Sequence, residues 1–185
     1  MRFGSEKRSL NGIREGRREA YEQIICQNYE AIYRFMVYLT AETTLAEDLT
    51  QETFTSAWAK IKDFKANASI RTWLHRIGYN KFIDSKRAKA RRIDLVTALN
   101  RPGVRPAQSP SPAQQSISDE DTRILYQALD KLQLQDYVVI VLHYIGGLSF
   151  REMAAVLDKP VGTVKWQTSR ALSQLGTILN GRIEQ

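Results

Sequence analysis

Residues 148–172 read LSFREMAAVLDKPVGTVKWQTSRAL, and this stretch decides the fold of the second half of the chain. Ser149 followed by Glu152 at the third position forms a capping box, which predicts that a helix begins here. Asp158 and the proline that follows interrupt the pattern, and an apolar stripe resumes at Val164. This spacing predicts a helix-turn-helix, whose second helix contacts the major groove with its first turns. An ordinary helical hairpin without DNA contact is the alternative interpretation.

Two small details of this stretch support the helix-turn-helix interpretation. Ala154 is small enough for two helices to cross closely, and Asp158 takes the turn position that needs a left-handed backbone and usually holds glycine. The residues predicted to face DNA are polar or aromatic and lie on the outer side of the second helix: Thr163, Lys165, Trp166, Gln167, Ser169 and Arg170.

Upstream of this motif, residues 137–142 are ambiguous, because a β-branched run also fits a buried strand. A helix is expected here, because the chain offers no second strand to pair with it, and Gly146 and Gly147 end that helix. Residues 101–118 hold four of the five prolines and neither an acid nor an aromatic residue, which predicts a flexible linker.

The first half of the chain shows further helical stripes. Apolar residues between 25 and 39 recur at intervals of three and four, a second stripe runs from Leu45 to Ile61, and Ser69 is a suitable N-cap for a third helix. We therefore expect an all-α protein with two small helical domains joined by a flexible linker. The expected divisions are a mobile extension over 1–17, a first domain over 18–95, the linker over 96–118 and a second domain over 119–182.

Composition excludes several classes of protein. Of 185 residues, 43% are hydrophobic and 25% charged, which is ordinary globular usage. The sequence has no apolar run near the ~20 residues that a membrane span needs and no visible secretory signal. Cys26 is the single cysteine, so no internal disulfide or Cys/His zinc cluster is expected. An intracellular location is the plain interpretation.

Charge is unevenly distributed along the chain. The net charge is +7, but residues 19–59 hold seven acids against one arginine, whereas residues 60–92 hold eleven lysines and arginines against two acids. This asymmetry suggests two different partners, although two solvated helix faces would show the same pattern. The basic block also carries aromatic residues, and cations interleaved with flat rings are typical of single-stranded nucleic-acid binding.

Two stretches of the first domain carry a family resemblance. Residues 45–54, LAEDLTQETF, and 69–80, SIRTWLHRIGYN, with Phe64 between them, resemble the signature of extracytoplasmic-function (ECF) sigma factors, the group-IV sigma-70 subunits of bacterial RNA polymerase. Residues 148–165 resemble the region 4 pattern of the same family. The resemblance covers residues 20–92 and 122–180 in the right order, with the expected linker between them.

The resemblance implies a role for each domain. In this family, region 2 docks on the β′ clamp helices of core RNA polymerase and captures an extruded base of the −10 element, while region 4 contacts the −35 element and lies on the β flap. The residues that match the docking positions are Asp48, Gln51, Glu52 and Phe54. Those that match the −10 positions, or supply cations beside them, are Phe64, Asn67, Ser69, Arg76, Asn80, Lys81, Lys86 and Arg87. Leu49, Trp58 and Trp73 are expected to belong to the core.

The resemblance further implies promoter DNA and an anti-sigma factor as partners, and a cytoplasmic protein that an anti-sigma factor can hold at the inner membrane. No catalytic role, cofactor, metal, small-molecule substrate or membrane insertion is expected, and His75 and His143 are expected to be structural. Trp166 and Gln167 stand where most relatives have Ser-Arg, which suggests a shifted DNA preference or contact with a protein helix. Two alternatives remain: a regulator that binds duplex operators without polymerase, and an all-helical enzyme with an incidental basic face.

Overall fold

The computed structural model describes residues 18–64, 67–98 and 120–183, and within these ranges the regular structure is helical. This confirms the all-α expectation. The predicted extension over 1–17 lies outside the described residues, as does the predicted linker from residue 99 to 118. The helices are α1 (Arg18–Thr40), α2 (Thr43–Lys60), α3 (Ile70–Ala98), α4 (Glu120–Leu129), α5 (Leu134–Ile140), α6 (Phe150–Leu157) and α7 (Val161–Ile183).

Helices α1, α2 and α3 pack around one apolar centre in the first half of the chain. Phe35 and Met36 of α1 are fully buried there. Gly78 of α3 faces Met36 and Thr53, and a Cβ at this glycine would collide with the end of the Met36 side chain. The missing side chain therefore lets α3 lie close against both α1 and α2. The hydroxyl of Tyr21 also donates a hydrogen bond to the Phe54 carbonyl and ties α1 to α2.

The second half of the chain is built around α5 and α7. The β-branched run over 137–142 is helical, as expected, and continues into a π turn over Val141–Ile145. Gly147 ends this element with φ +60°, a left-handed conformation that favours glycine. The Leu148 amide then donates to the Leu142 carbonyl at 3.1 Å. This turn leads the chain into α6, the first helix of the helix-turn-helix that α6 and α7 form.

The two halves pack against each other through an interdomain contact formed by Arg71, Thr72, Gly146 and Glu152. Arg71 donates to the Gly146 carbonyl, and Thr72 Oγ1 donates to Glu152 Oε1 at 3.0 Å. Helix α6 therefore lies on the first turns of α3. The sequence predicted two domains joined by a flexible linker, and in the structure the described parts of the two domains contact each other. The hydrogen bonds that join them form between residues about 75 positions apart in the sequence.

A second connection links the π turn and α5 to α1. The hydroxyl of Tyr137 donates to the Tyr38 carbonyl at 2.6 Å. Helix α3 continues past the interdomain contact and ends at Ala98, three residues after residue 95, the predicted end of the first domain. None of the described helices is long and apolar enough to cross a membrane.

Candidate docking and nucleic-acid interfaces

The acidic face of α2 forms one wall of a shallow groove. Asp48, Gln51 and Glu52 are exposed and line this groove together with Lys81 of α3. Lys81 Nζ lies 3.1 Å from Glu52 Oε2, so a residue expected to dock polymerase pairs with one expected to bind DNA. Because both side chains are partly exposed, this pair contributes little to stability, and either partner can exchange it for another contact.

A second groove lies beside the acidic face and is aromatic. Phe54, expected as a docking contact, is buried and forms part of its floor, with its ring 5.9 Å from that of Tyr29. The expectation that Trp58 belongs to the core is wrong, because 49% of the residue is exposed. Its ring packs on Tyr21 at 4.6 Å with the rest facing solvent, whereas Leu49 is buried as expected. Sequence reasoning missed this aromatic groove.

The segment before α3 holds the residues expected to form a pocket for a −10 base. Phe64 is buried with its ring 4.9 Å from that of Trp73, so it supplies an apolar wall. Trp73 is half-buried and packs against the core. Asn67 is exposed, and Ser69 caps α3 as expected, with Ser69 Oγ accepting from the Thr72 amide at 3.1 Å. The Ser69 hydroxyl is therefore engaged within the protein.

Asn80 lies on α3 two turns after Trp73, about 10 Å farther along the helix axis, and is exposed. It therefore offers its amide to the surroundings beyond the apolar wall. The basic residues expected near it are also exposed at least in part, and several have partners within the protein. These partners are Asp158 for Arg76 at 3.9 Å, Asp84 for Arg87 at 3.8 Å, and the Phe82 ring for Lys86 at 5.5 Å.

The helix-turn-helix has the expected local geometry. Ser149 Oγ accepts from the Glu152 amide at 3.4 Å, and Glu152 Oε2 accepts from the Ser149 amide at 2.9 Å, which completes the capping box. Asp158 has φ 54° and ψ 48°, the left-handed conformation predicted for the turn. Ala154 and Val164 are buried where the two helices meet.

Burial of Glu152 raises the pKa of its carboxyl, but hydrogen bonds from Ser149 and Thr72 and the charge of Arg71 outweigh this effect and hold the pKa below its usual value. Glu152 therefore carries a negative charge at neutral pH. It serves both the cap of α6 and the interdomain contact.

The outer side of α7 exposes Thr163, Lys165, Trp166 and Ser169. Gln167 does not belong with them: it is 3% exposed, and its Nε2 donates to the Gln135 carbonyl at 2.7 Å. Three residues after buried Val164, this position falls on the inner face of the helix, and the expectation that Gln167 contacts DNA is corrected.

Arg170 is also engaged within the protein. Its Nη2 donates to both carboxylate oxygens of Asp136, at 2.6 and 2.8 Å. Asp136 is fully buried, whereas 38% of the Arg170 side chain remains exposed. Sequence reasoning missed Asp136, although a carboxylate beside an apolar run is a signal that a cation must neutralise it. The guanidinium that was expected to contact DNA is thus committed to this carboxylate.

Each of the two histidines forms a hydrogen bond with a backbone carbonyl. His75 is fully buried, and its Nδ1–H donates to the Arg71 carbonyl at 2.8 Å. Burial lowers its pKa to about 4. His143 Nδ1–H donates to the Leu148 carbonyl at 2.9 Å, and its ring stacks on Phe150. Neither ring is placed on the surfaces described above.

The chain resembles known proteins in both sequence and fold. The family models "Sigma-70 region 2" and "Sigma-70, region 4" match residues 24–92 and 122–175. The chain is 30% identical over 181 residues to the ECF RNA polymerase sigma factor SigW of Bacillus subtilis, covering 91% of this chain and 94% of SigW. It is 33% identical over 156 residues to the ECF sigma factor SigE of Mycolicibacterium smegmatis, covering 84% of this chain but only 60% of SigE.

A solved structure with a similar fold is that of the sigma factor RpoE from Bartonella quintana in complex with the anti-sigma factor NepR. It superposes with a TM-score of 0.69 at 27% sequence identity, covering 86% of this chain and 96% of RpoE.

Proposed function

The chain belongs to the ECF group of the sigma-70 family, and from this premise we propose that it is the promoter-recognition subunit of a bacterial RNA polymerase. It binds core polymerase, recognises −35 and −10 promoter elements, and opens the DNA at the −10 element. It performs no catalysis of its own, since the polymerase core synthesises RNA. Its place of action is the cytoplasm.

The observation that carries this proposal is the presence of three surfaces of different chemistry on one chain. The acidic face of α2, the cations along α3 and the outer side of α7 each expose side chains with a different chemistry. A regulator that binds duplex operators needs only the surface on α7. The other two surfaces therefore favour a polymerase subunit over that alternative.

Strand opening is assigned to the first domain. Phe64 and Trp73 form an apolar wall, and the exposed amide of Asn80 can both donate to and accept from a base edge. An extruded base needs these two kinds of contact. The cations of α3 lie on the same helix and are suited to hold the phosphates on either side of that base.

Recognition of closed duplex DNA is assigned to the helix-turn-helix. Lys165 and Ser169 are exposed on α7 and suited to contact phosphates and base edges in the major groove. We further propose control by an anti-sigma factor, which is supported by the similar fold of RpoE in its complex with NepR.

The test is run-off transcription with purified core polymerase on a library of promoter sequences. Wild-type chain is expected to direct transcription from a subset of the library, and core polymerase alone is not. A variant with Asp48→Lys and Glu52→Lys should bind core at least tenfold more weakly, since both carboxylates line the same groove.

The matched control is Glu30→Lys, which reverses an exposed acid on α1 outside both grooves. It should retain wild-type affinity for core. Transcription from no library member, together with the absence of binding to core, would reject the proposed function and leave the operator-binding regulator.

A further inference from the structure

We propose that Trp166 recognises thymine in the −35 element, by contact between its indole ring and the 5-methyl group of that base. The inference rests on the proposed function, because it assumes that α7 lies in the major groove of promoter DNA. The inference goes beyond the proposed function because it names the chemical group of the DNA that this chain selects.

Trp166 is the largest side chain on the solvent face of α7, and 60% of it is exposed. Gly162, Ser169 and Ser173 lie four residues before, three after and seven after it, and therefore share its face of the helix. All three are small and exposed. A Cβ placed on Gly162 would meet no atom within 4 Å. The indole therefore projects beyond these neighbours. If this face of α7 enters the major groove of DNA, the indole is the side chain that reaches the base edges first.

One side of the indole contacts Arg170, whose own position is restrained. The guanidinium of Arg170 lies over the Trp166 ring, 4.8 Å from its centre. The same guanidinium donates to both oxygens of buried Asp136. A cation held by a buried carboxylate is a rigid support, so the exposed ring loses little conformational freedom when it binds a partner. Arg170 acts here as a positioning residue for Trp166.

The chemistry of the major groove selects the partner of such a ring. Base edges there present hydrogen-bond donors and acceptors, and the 5-methyl group of thymine is the apolar feature among them. A flat apolar surface gains free energy by covering that methyl group. The indole N–H can donate to a phosphate, but such a contact uses one atom of the ring and leaves its exposed apolar surface uncovered.

The experiment uses the complete chain bound to core polymerase. A −35 element is selected from a randomised duplex library, and each selected thymine is then replaced singly by deoxyuridine, which lacks only the methyl group. Wild-type holoenzyme should bind one of these duplexes about fourfold more weakly, the effect of burying one methyl group. For the Trp166→Ser holoenzyme, the ratio of affinities for thymine and deoxyuridine at that position should be about 1.

Two further variants test the structural argument. Trp58→Ser removes another exposed indole by the same substitution, outside the helix-turn-helix, and should retain the wild-type ratio. Arg170→Lys keeps a cation for Asp136 but removes the flat surface under the indole. Its ratio should fall below that of the wild type, whereas a residue that only stabilises the fold would leave the ratio unchanged.

A selected −35 element without thymine would overturn the inference, as would wild-type and Trp166→Ser ratios that are equal. Weaker binding of Trp166→Ser to core, with its thymine preference intact, would instead identify Trp166 as a protein contact. In these cases the holoenzyme still selects a promoter and the proposed function stands. Failure to select any sequence would reject the proposed function and this inference together.

Discussion

Arg170 and Lys165 lie five residues apart on α7 but differ in their surroundings. Arg170 pairs with the buried carboxylate of Asp136, whereas Lys165 is exposed. Arg170→Ala leaves the fully buried Asp136 carboxylate without its cation, which should lower the free energy of unfolding by about 2–3 kcal/mol. The N-terminal turn of α5, where Asp136 lies, partly compensates the charge. Lys165→Ala removes an exposed side chain and should change stability by less than ~0.5 kcal/mol. Urea denaturation measures both, and equal losses would show that the Asp136 pair does not stabilise the fold.

The buried imidazole of His75 should make the free energy of unfolding depend on pH. Its pKa is about 4 in the folded protein, against 6.5 for the free side chain. Above pH 6.5 the ring is neutral in both states, whereas below it only the unfolded chain takes up a proton. The free energy of unfolding should therefore fall as the pH drops from 6.5 towards 4, by up to about 3 kcal/mol.

Thermal denaturation between pH 6.5 and 5 isolates this effect, because most carboxyl groups titrate lower. His75→Gln should show a flatter pH dependence of Tm than the wild type in this interval. Identical slopes would show that the buried imidazole is not the group responsible.

At the scale of elements, the turn between α6 and α7 keeps a residue in a conformation that suits glycine better. Asp158 has φ 54°, which is strained for a residue with a Cβ. Asp158→Gly should therefore raise the free energy of unfolding by about 0.5–1 kcal/mol, after allowing for the flexibility of glycine in the unfolded chain.

The same substitution removes the partner of Arg76, so Arg76→Gln serves as the control. That ion pair is 3.9 Å long and largely exposed, and its loss should leave Tm unchanged. A lower Tm for Asp158→Gly would contradict the backbone explanation.

Local elements could be predicted because their signals are local. The capping box at Ser149, the cap at Ser69 and the left-handed turn at Asp158 each depend on residues within four positions. Trp58 could not be placed from the sequence, because its position depends on the Tyr21 ring of another helix. Gln167 did carry a signal, since it follows Val164 by three residues, but its partner, the Gln135 carbonyl, lies on another helix.

At the scale of the whole molecule, contact with both promoter elements requires the two domains to reach DNA sites that are far apart. The −35 and −10 elements are separated by about 25 base pairs, or about 85 Å of duplex at 3.4 Å per base pair. The longest helix, α3, has 29 residues and spans only about 44 Å. We therefore expect the interdomain contact to open when the chain contacts both elements. No pattern in the sequence predicts this contact, because one acceptor is the backbone carbonyl of Gly146.

Arg71→Ala should release that contact, since the side chain donates to Gly146 and lies beside Glu152. The radius of gyration measured by small-angle X-ray scattering should increase, while the helical circular dichroism stays the same. Arg92→Ala removes an exposed cation farther along α3 and should leave the radius unchanged. An unchanged radius for Arg71→Ala would show that the other contacts suffice to hold the domains together.

The most direct test of the division of labour between the two domains is permanganate footprinting of holoenzyme on duplex and pre-melted promoters. Asn80→Ala should impair exposure of −10 thymines on duplex DNA, and a pre-melted bubble should restore binding and initiation, because we propose that the exposed amide acts on the extruded base. Lys165→Ala should weaken the complex on both templates, and its binding should depend less steeply on salt than that of the wild type, because the phosphate contact that we propose for Lys165 releases counterions. Normal opening by Asn80→Ala, or equal rescue of Lys165→Ala by the bubble, would contradict the account.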